Sequence, residues 1–460
     1  MINKKNLLIF ISLLLLGFFL RYFNTISDGY WFDETLSFFI SDPNISFQDF
    51  KLRHKTIIGG AEHNPLLYFF ILREYLSLFG YSSENARIFT ILFGSFSVLI
   101  AYFYFSYLNN QKKTFYIISF IVFNIFLIWQ AKEVRPASVI LFFSLINNFY
   151  FLFYFKKCNS IRSIFLICLN CILLSLYPFT IIILFAQLIT CLYFLNKNKL
   201  RHILVFIFSI IFYLIFNYEY LVIKLTSTSS HWGNLDINFF FNYFYRTFFG
   251  SIFLGGVSLV LTFFAIIEIL RKKKYKDFFL IFNFVLIIIS YLFIIFYSFL
   301  ISGIAVPRYF IFIIPSIIFI IIDFLSDKKK IYLNLYLILT IVNTLIVYDD
   351  FKIKKPPIYE LVKVLDSRSK NLYLTNEKPL FNNFIINNNY ISSRYKILKN
   401  IEFAPNFWHV CLNNPRYAVG NYKNLKDEKS CEIKVNNYKL IEVIKIEDFK
   451  LSLFQRNDNN

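Results

Sequence analysis

Long apolar runs, broken at intervals by short polar segments, set the pattern of this 460-residue chain. Stretches such as Leu7–Leu20, Ile203–Phe216 and Phe278–Leu300 are long and apolar enough to cross roughly 30 Å of hydrocarbon as helices. The same pattern predicts spans near residues 7–22, 85–107, 114–130, 136–155, 162–177, 179–195, 202–218, 251–270, 277–299, 307–325 and 331–347, about eleven in all. Longer polar stretches interrupt it at 24–84, at 219–250 and from 349 to the end. Within the first of these, Pro65–Phe79 carries Arg73 and Glu74 on an otherwise apolar stretch and is short for a span. It reads as a helix lying in the membrane interface.

The cations fix an orientation for this pattern. Lys and Arg cluster at Lys4-Lys5, Lys112-Lys113, Lys156-Lys157 with Arg162, Lys197 to Arg201, Arg271 to Lys276 and Lys328 to Lys330, in every second inter-span segment. The positive-inside rule places all of them in the cytoplasm. The N-terminus is then inside, and the segment 24–84, the loop 219–250 and the tail are outside. Hydrophobic residues make up 57% of the chain and charged residues 17%, a balance foreign to soluble domains. The net charge of +20 is parcelled into these short loops, so orientation in a bilayer accounts for it and no nucleic-acid partner is implied. No small-residue cleavage site follows Leu20, where Arg21, Tyr22 and Phe23 come instead, so the first segment reads as an uncleaved span.

The predicted architecture is a polytopic α-helical membrane protein with a small C-terminal extracytoplasmic α/β domain. Residues 1–348 form the membrane domain, with the outer segment 24–84, and residues 349–460 the soluble one. The tail is Asn-rich and charged and has β-prone runs at Asn371–Leu374, Phe407–Leu412 and Tyr438–Ile444. Ile358–Leu365, after Pro356-Pro357, reads as a short helix. Cys168, Cys171 and Cys191 fall in apolar spans, and Cys158 falls at a span end, where thiols are normally inert. Cys411 and Cys431 lie in the tail and are placed to pair if it is extracytoplasmic.

Nearly all the candidate chemistry falls on the outer face. Asp33-Glu34 follows Tyr30-Trp31-Phe32 just beyond the first span, where partial burial suits a carboxylate to general-base work; a solvated acidic turn is the plain alternative. Glu62-His63-Asn64-Pro65 stands at the mouth of the interfacial helix, and a His beside a carboxylate can bind a metal, move a proton or orient a phosphate. Lys132-Glu133-Val134-Arg135-Pro136 fills a very short outer turn, where ionisable residues at the edge of hydrocarbon are paired or functional. Arg135 and Arg308, two outward guanidinium groups at the membrane interface, suit a phosphate on a lipid. Glu219 is a reserve carboxylate at the end of span seven. The other histidines, His54, His202, His231 and His409, are scattered, and no metalloprotease, nucleophile-elbow or P-loop motif is present.

Tyr30-Trp31-Phe32-Asp33-Glu34 with Ser37 resembles the aromatic-Asp-Glu motif in the first outer loop of GT-C membrane glycosyltransferases. The similarity is to the bacterial branch related to protein O-mannosyltransferases and the lipid A aminoarabinose transferase. His63-Asn64-Pro65-Leu66-Leu67-Tyr68 resembles that branch's His-Pro-Pro-Leu-x-Tyr segment, with Asn64 in place of the first proline. Ala86-Arg87 resembles its Ala-Leu-Arg stretch. Gln130 to Pro136 is similar to its Gln-Glu-Ala-Arg-Pro-Tyr turn, with Lys132 inserted and Ala137 where Tyr is usual. Pro307-Arg308-Tyr309 with Pro315 follows its Pro-x-Arg-Tyr…Pro pattern loosely. The resemblance covers about residues 7–350 in order.

The resemblance implies transfer of one sugar from a polyprenyl-phosphate carrier to an acceptor in the cell envelope: a lipid, glycan or protein. Asp33 would be the base, with inversion at the anomeric carbon. Arg135 and Arg308 would hold the carrier phosphate, Glu34 and His63 would shape the pocket, and Glu62 and Glu133 would flank it. His63 stands where the aminoarabinose relative has a metal-binding carboxylate, which leaves a divalent metal open. A transporter or lipid flippase is the main rival, but it favours ionisable residues at the midplane on broken helices. A ligase moving a whole glycan from a lipid pyrophosphate, and a purely structural membrane protein, explain Asp33, His63 and Arg135 less well.

Overall fold

The computed structural model describes residues 4–25, 30, 32–57, 64–107, 111–194, 199–226, 248–272, 274–300, 307–348, 364, 371–374, 396–397, 404–412, 433, 435–446 and 449–457. The chain divides into two compact units. One comprises residues 1–23, 46–75 and 87–348, and the other comprises 24–45, 76–86 and 349–460.

Helices occupy every predicted span. In chain order they are α1 (Lys4–Tyr22), α2 (Phe32–Ile40), α3 (Phe47–Ile57), α4 (Leu66–Phe79), α5 (Ser83–Ser106), α6 (Gln111–Val122), α7 (Ile125–Lys132) and α8 (Ala137–Lys156). There follow α9 (Ser160–Leu176), α10 (Ile181–Phe194), α11 (Lys199–Phe216), α12 (Tyr218–Thr226), α13 (Ile252–Arg271), α14 (Phe278–Leu300), α15 (Ile314–Ser326) and α16 (Lys330–Val347). Among the described residues, seven helices are long and apolar enough to cross a membrane, counting α15 with the 3-10 turn Pro307–Ile313 that leads into it. The bent pair α6–α7 makes an eighth, and α1, α9 and the stretch Pro178–Phe194 are shorter apolar helices.

Burial separates the centre of the first unit from its rim. The stretch Pro307–Ser326 is 78% buried and packs against α6, α13, α14 and α16, whereas the best windows of α11 and α16 are only 22% and 28% buried. Large side chains such as Phe216, Phe299 and Ile346 stand almost fully outward. A soluble protein rarely exposes continuous apolar surface of this kind, and hydrocarbon is the solvent it fits.

Between apolar helices, where the hydrophobic effect gives no preference for helix over lipid, polar side chains supply the specificity. Asn147 on α8 donates to Asn170 on α9 (2.8 Å) and accepts from Gln187 on α10 (2.5 Å). Asn170 in turn donates to Ser209 on α11 (3.1 Å), so four helices share one buried chain of hydrogen bonds. Ser316 on α15 bonds Asn283 on α14 (2.7 Å), and Ser258 on α13 bonds Tyr336 on α16 (2.7 Å).

The stretch 114–130, predicted as one span, bends by 52° between α6 and α7. The cause is Asn124. Its Oδ1 accepts the Leu127 amide (2.9 Å) as the N-cap of α7, while its Nδ2 donates to the Phe248 carbonyl (2.8 Å). Asn343 pins the next carbonyl, that of Phe249 (2.8 Å). Gly250 follows with φ +80°, and a Cβ there would lie 2.3 Å from Ile125. Residues 248–250 therefore dock into the bend only because position 250 has no side chain.

In the second unit the described tail residues form a five-stranded sheet of order β2-β1-β3-β5-β4: β1 (Asn371–Leu374), β2 (Lys396–Ile397), β3 (Asn406–Leu412), β4 (Tyr438–Ile446) and β5 (Phe449–Arg456). Strands β1–β2 and β1–β3 pair in parallel, and β3–β5 and β4–β5 pair antiparallel. All three predicted β-prone runs lie in strands. Of the predicted helix Ile358–Leu365 only residue 364 is described. In β3, Phe407 to Cys411 are buried on both faces, as a strand covered from both sides requires. Cys411 is disulfide-bonded; Cys431 lies outside the described residues, and Cys158, Cys168, Cys171 and Cys191 are free.

His409 sits in this strand with no exposure, and burial, with a smaller effect from Lys450, lowers its pKa to about 4. The unfolded chain takes up a proton there near pH 6.5 and the folded sheet does so only near 4. The neutral ring's contribution is therefore complete above pH 6.5, and roughly 3 kcal/mol is lost as pH falls to 4. Hydrogen-exchange protection of 406–412 and 449–456, corrected for intrinsic rates, is expected to fall through that window in wild type and not in His409→Leu. A pH-independent wild type would contradict this account.

Candidate functional site

The turn between α7 and α8 places three ionisable residues, Lys132, Glu133 and Arg135, within four positions. All eight residues of α7 are buried, and so is everything from Gln130 to Ala137. Glu133 leaves the helix with extended dihedrals (φ −92°, ψ 133°), and the Arg135 amide reaches back to its carbonyl at 2.7 Å. Pro136 then stands at the N-cap of α8, and a residue before proline, here Arg135, is steered away from helical geometry. Lys132, Glu133 and Arg135 are 4%, 1% and 7% exposed. Charges are not buried cheaply, so each needs compensation from its surroundings.

For Lys132 the compensation is visible. Its Nζ donates to the Phe23 carbonyl (2.7 Å) and to the Tyr348 hydroxyl (2.8 Å), and it lies 4.2 Å from the centroid of the Tyr348 ring. The Tyr348 hydroxyl donates in turn to the Leu20 carbonyl (2.5 Å). Lysine and tyrosine together thus cap the C-terminal carbonyls of α1, a site where positive charge is favoured.

Arg21, in the last turn of α1, is 1% exposed and donates to the carbonyls of Gly17 (2.9 Å) and Ile121 (3.4 Å). Gly94 on α5 makes room for it. A Cβ at Gly94 would lie 2.6 Å from the Ala131 Cβ and 3.4 Å from the Arg21 side chain, so α5, α7 and Arg21 meet at backbone range. Seven residues earlier on the same face of α5, Arg87 is 4% exposed.

The 3-10 turn bearing Arg308 packs against α8, the helix that begins two residues after Arg135. Arg308 is half-buried, with its guanidinium 5.8 Å from the Tyr309 ring, and Tyr309 lies against Tyr177 (5.5 Å between centroids). Among the described residues of this unit, the buried cations Arg21, Arg87, Lys132 and Arg135 accompany one buried carboxylate, Glu133. A low-dielectric region with that excess attracts anions.

Asp33 and Glu34 belong to the second unit, in the first turn of α2, where unsatisfied amides favour negative charge. Glu34 is fully buried, Asp33 is partly exposed, and Ser37 donates to the Asp33 carbonyl (3.1 Å). Aromatic contacts within the unit hold this helix. Phe38 stacks on Tyr81 at 4.1 Å, Tyr81 donates to the Phe38 carbonyl (3.2 Å), and the Tyr30 hydroxyl donates to the Ser83 carbonyl. Glu62 and His63 lie outside the described residues. Their neighbour Asn64 is fixed, its carbonyl 3.0 Å from Nε2 of His54, a buried ring against Phe69. Glu219 opens the short helix α12. No group of three metal-ligating side chains occurs among the described residues.

Sequence reasoning used Arg21 only as evidence against cleavage and passed over His54, Tyr348 and the burial of Arg87. Arg21 was detectable as a cation at the end of an apolar span; the others depend on contacts distant in sequence.

The chain has the fold of the GT-C membrane glycosyltransferases. It is similar to ArnT, the lipid A aminoarabinose transferase, from Cupriavidus metallidurans in a crystal structure bound to undecaprenyl phosphate, with TM-score 0.60 and 9% identity over 99% of each chain. The apo form of that protein gives TM-score 0.56, again at 9% identity, over 97% of each chain. The archaeal oligosaccharyltransferase AglB from Archaeoglobus fulgidus, in complex with an inhibitory peptide and a dolichol-phosphate, gives TM-score 0.51 at 10% identity over 84% of this chain and 64% of its own. No protein-family model matches the chain, and no curated protein matches its sequence.

Close approach at Gly94 is expected to matter for this region. Gly94→Ala adds a methyl that overlaps Ala131, and overpacking of this kind costs about 1–3 kcal/mol. A melting temperature several degrees below wild type in detergent is the expected outcome, and an unchanged one would refute the contact.

Proposed function

We propose that this protein is a membrane glycosyltransferase that takes one sugar from a polyprenyl-phosphate carrier and passes it to an extracytoplasmic acceptor. The observation that carries the reading is the buried cation excess around the α7–α8 turn. On this fold it supplies what a sugar's leaving group needs: fixed positive charge at the membrane edge, where a lipid-borne phosphate arrives. ArnT and AglB, which share the fold, were solved with a polyprenyl and a dolichol phosphate respectively.

In this reading Arg135 and Arg308 bind the carrier phosphate and stabilise its charge as the glycosidic bond breaks. Arg21 and Lys132, held on carbonyls of α1 and α6 and on Tyr348, add to the positive field and keep the turn in place. Asp33 takes the proton of the acceptor hydroxyl, which attacks the anomeric carbon in line with inversion. Glu34, Glu62, His63 and Glu133 shape the sugar and acceptor pocket. The membrane domain, residues 1–348, crosses a bacterial inner membrane about eleven times with its N-terminus in the cytoplasm. The domain 349–460 lies outside and helps select a cell-envelope lipid, glycan or protein.

The test is sugar transfer in membranes with matched amounts of wild type, Asp33→Asn and Arg135→Gln, supplied with a panel of polyprenyl-phosphate sugars. Wild type is expected to consume one carrier, and Asp33→Asn to lose about a hundredfold or more in rate. Arg135→Gln is expected to weaken carrier use with the protein still folded. Equal rates in wild type and Asp33→Asn would remove Asp33 from the mechanism, and no turnover of any carrier would favour a transporter.

A further inference from the structure

Helix α8 runs 20 residues from the α7–α8 turn to Lys156, about 30 Å away. At that end a cavity of about 260 Å³ opens between α6, α8, α14 and α15. Buried Phe279 and Phe319 form part of its wall. Lys113 pairs with Asp323 and lies 4.8 Å from the Phe319 ring centroid, and Lys156 and Asp277 stand exposed at the mouth.

Both carboxylates of this cavity are engaged by the protein. Asp277 accepts the amides of Phe279 (2.9 Å) and Leu280 (3.0 Å) as the N-cap of α14. Asp323 is shared by Lys113 and by Lys274 (3.1 Å). The wider network joins Lys113, Lys272, Lys274 and Lys328 to Glu268, Asp323 and Asp327, four lysines to three carboxylates. Lys156 donates to the Tyr107 hydroxyl (2.9 Å), a neutral partner, and makes no ion pair among the described residues. The cavity lining carries two lysines and two carboxylates, and Lys156 is the cation that meets no carboxylate among the described residues. Beside its mouth, Tyr107 and, one turn along α5, Phe103 present exposed rings that an acyl chain can lie against.

We propose that this cavity binds the headgroup phosphate of an anionic glycerophospholipid, with Lys156 and Lys113 as donors and the acyl chains along α5. Basic pockets between spans, on the face that carries the Lys clusters, are suited to such headgroups. This site is separate from the carrier-phosphate site at the other end of α8, and its test does not depend on the transferase reading.

The experiment titrates the full-length protein in neutral detergent with phosphatidylglycerol, phosphatidylcholine or inorganic phosphate. Occupancy is read by native mass spectrometry and stability by thermal unfolding. Phosphatidylglycerol is expected to be retained and to raise the melting temperature, and the other two are not. Lys156→Gln is expected to weaken that binding roughly fivefold, and Lys157→Gln, exposed and outside the lining, to leave it unchanged. Equal binding of phosphatidylcholine, equal competition by inorganic phosphate, or equal effects of the two substitutions would each overturn the proposal.

Discussion

Positive charge held out of water at one end of an apolar bundle is the constraint on which this structure turns. An isolated buried charge costs several kcal/mol, and a hydrogen bond to a charged group returns roughly 1.5–3. Lys132 and Arg21 are each given two such bonds, largely from backbone carbonyls at the ends of α1 and α6. That solution keeps the charge. Carbonyls and hydroxyls are neutral acceptors, so these bonds hold the two cations without themselves cancelling the charge. The bend at Asn124, the glycine at 94 and the docking of 248–250 all bring α7 to where those carbonyls are.

The other end of the bundle solves the same problem differently. There the lysines are met by carboxylates, from Glu268, Asp323 and Asp327, across the ends of α6, α13 and α15 and the loops beside them. Ion pairs tie the helices together, and Lys156 beside them rests on a neutral hydroxyl. Between the two ends, amide and hydroxyl side chains such as Asn147, Asn170 and Gln187 fix which apolar helices are neighbours. Cations rest on carbonyls and a hydroxyl at one end and mostly on carboxylates at the other.

Much of this was legible in the chain. Apolar runs located the long apolar helices to within a few residues, because a span must be long and continuous to cross hydrocarbon. The Lys and Arg clusters marked one end of the bundle, and Lys113, Lys156 and Lys274 do gather there around Asp277 and Asp323. The α6–α7 break was not legible, since one Asn in an apolar run has the same composition whether it caps a helix or staples two. Strand β5 is a short alternating run, and its place beside β3 is settled by pairing with residues some forty positions earlier. At the candidate site, the turn 132–136 stood out because charges at the hydrocarbon edge are rare. Its support by Tyr348 and Gly94 did not, because both come from distant parts of the sequence.

The measurement that bears most directly on the central claim is a cryo-EM structure of the protein with undecaprenyl phosphate bound. The account predicts phosphate density within hydrogen-bonding reach of Arg135, with the prenyl chain leaving along the apolar surface of the bundle. Phosphate density away from the α7–α8 turn, or none under saturating lipid, would contradict it.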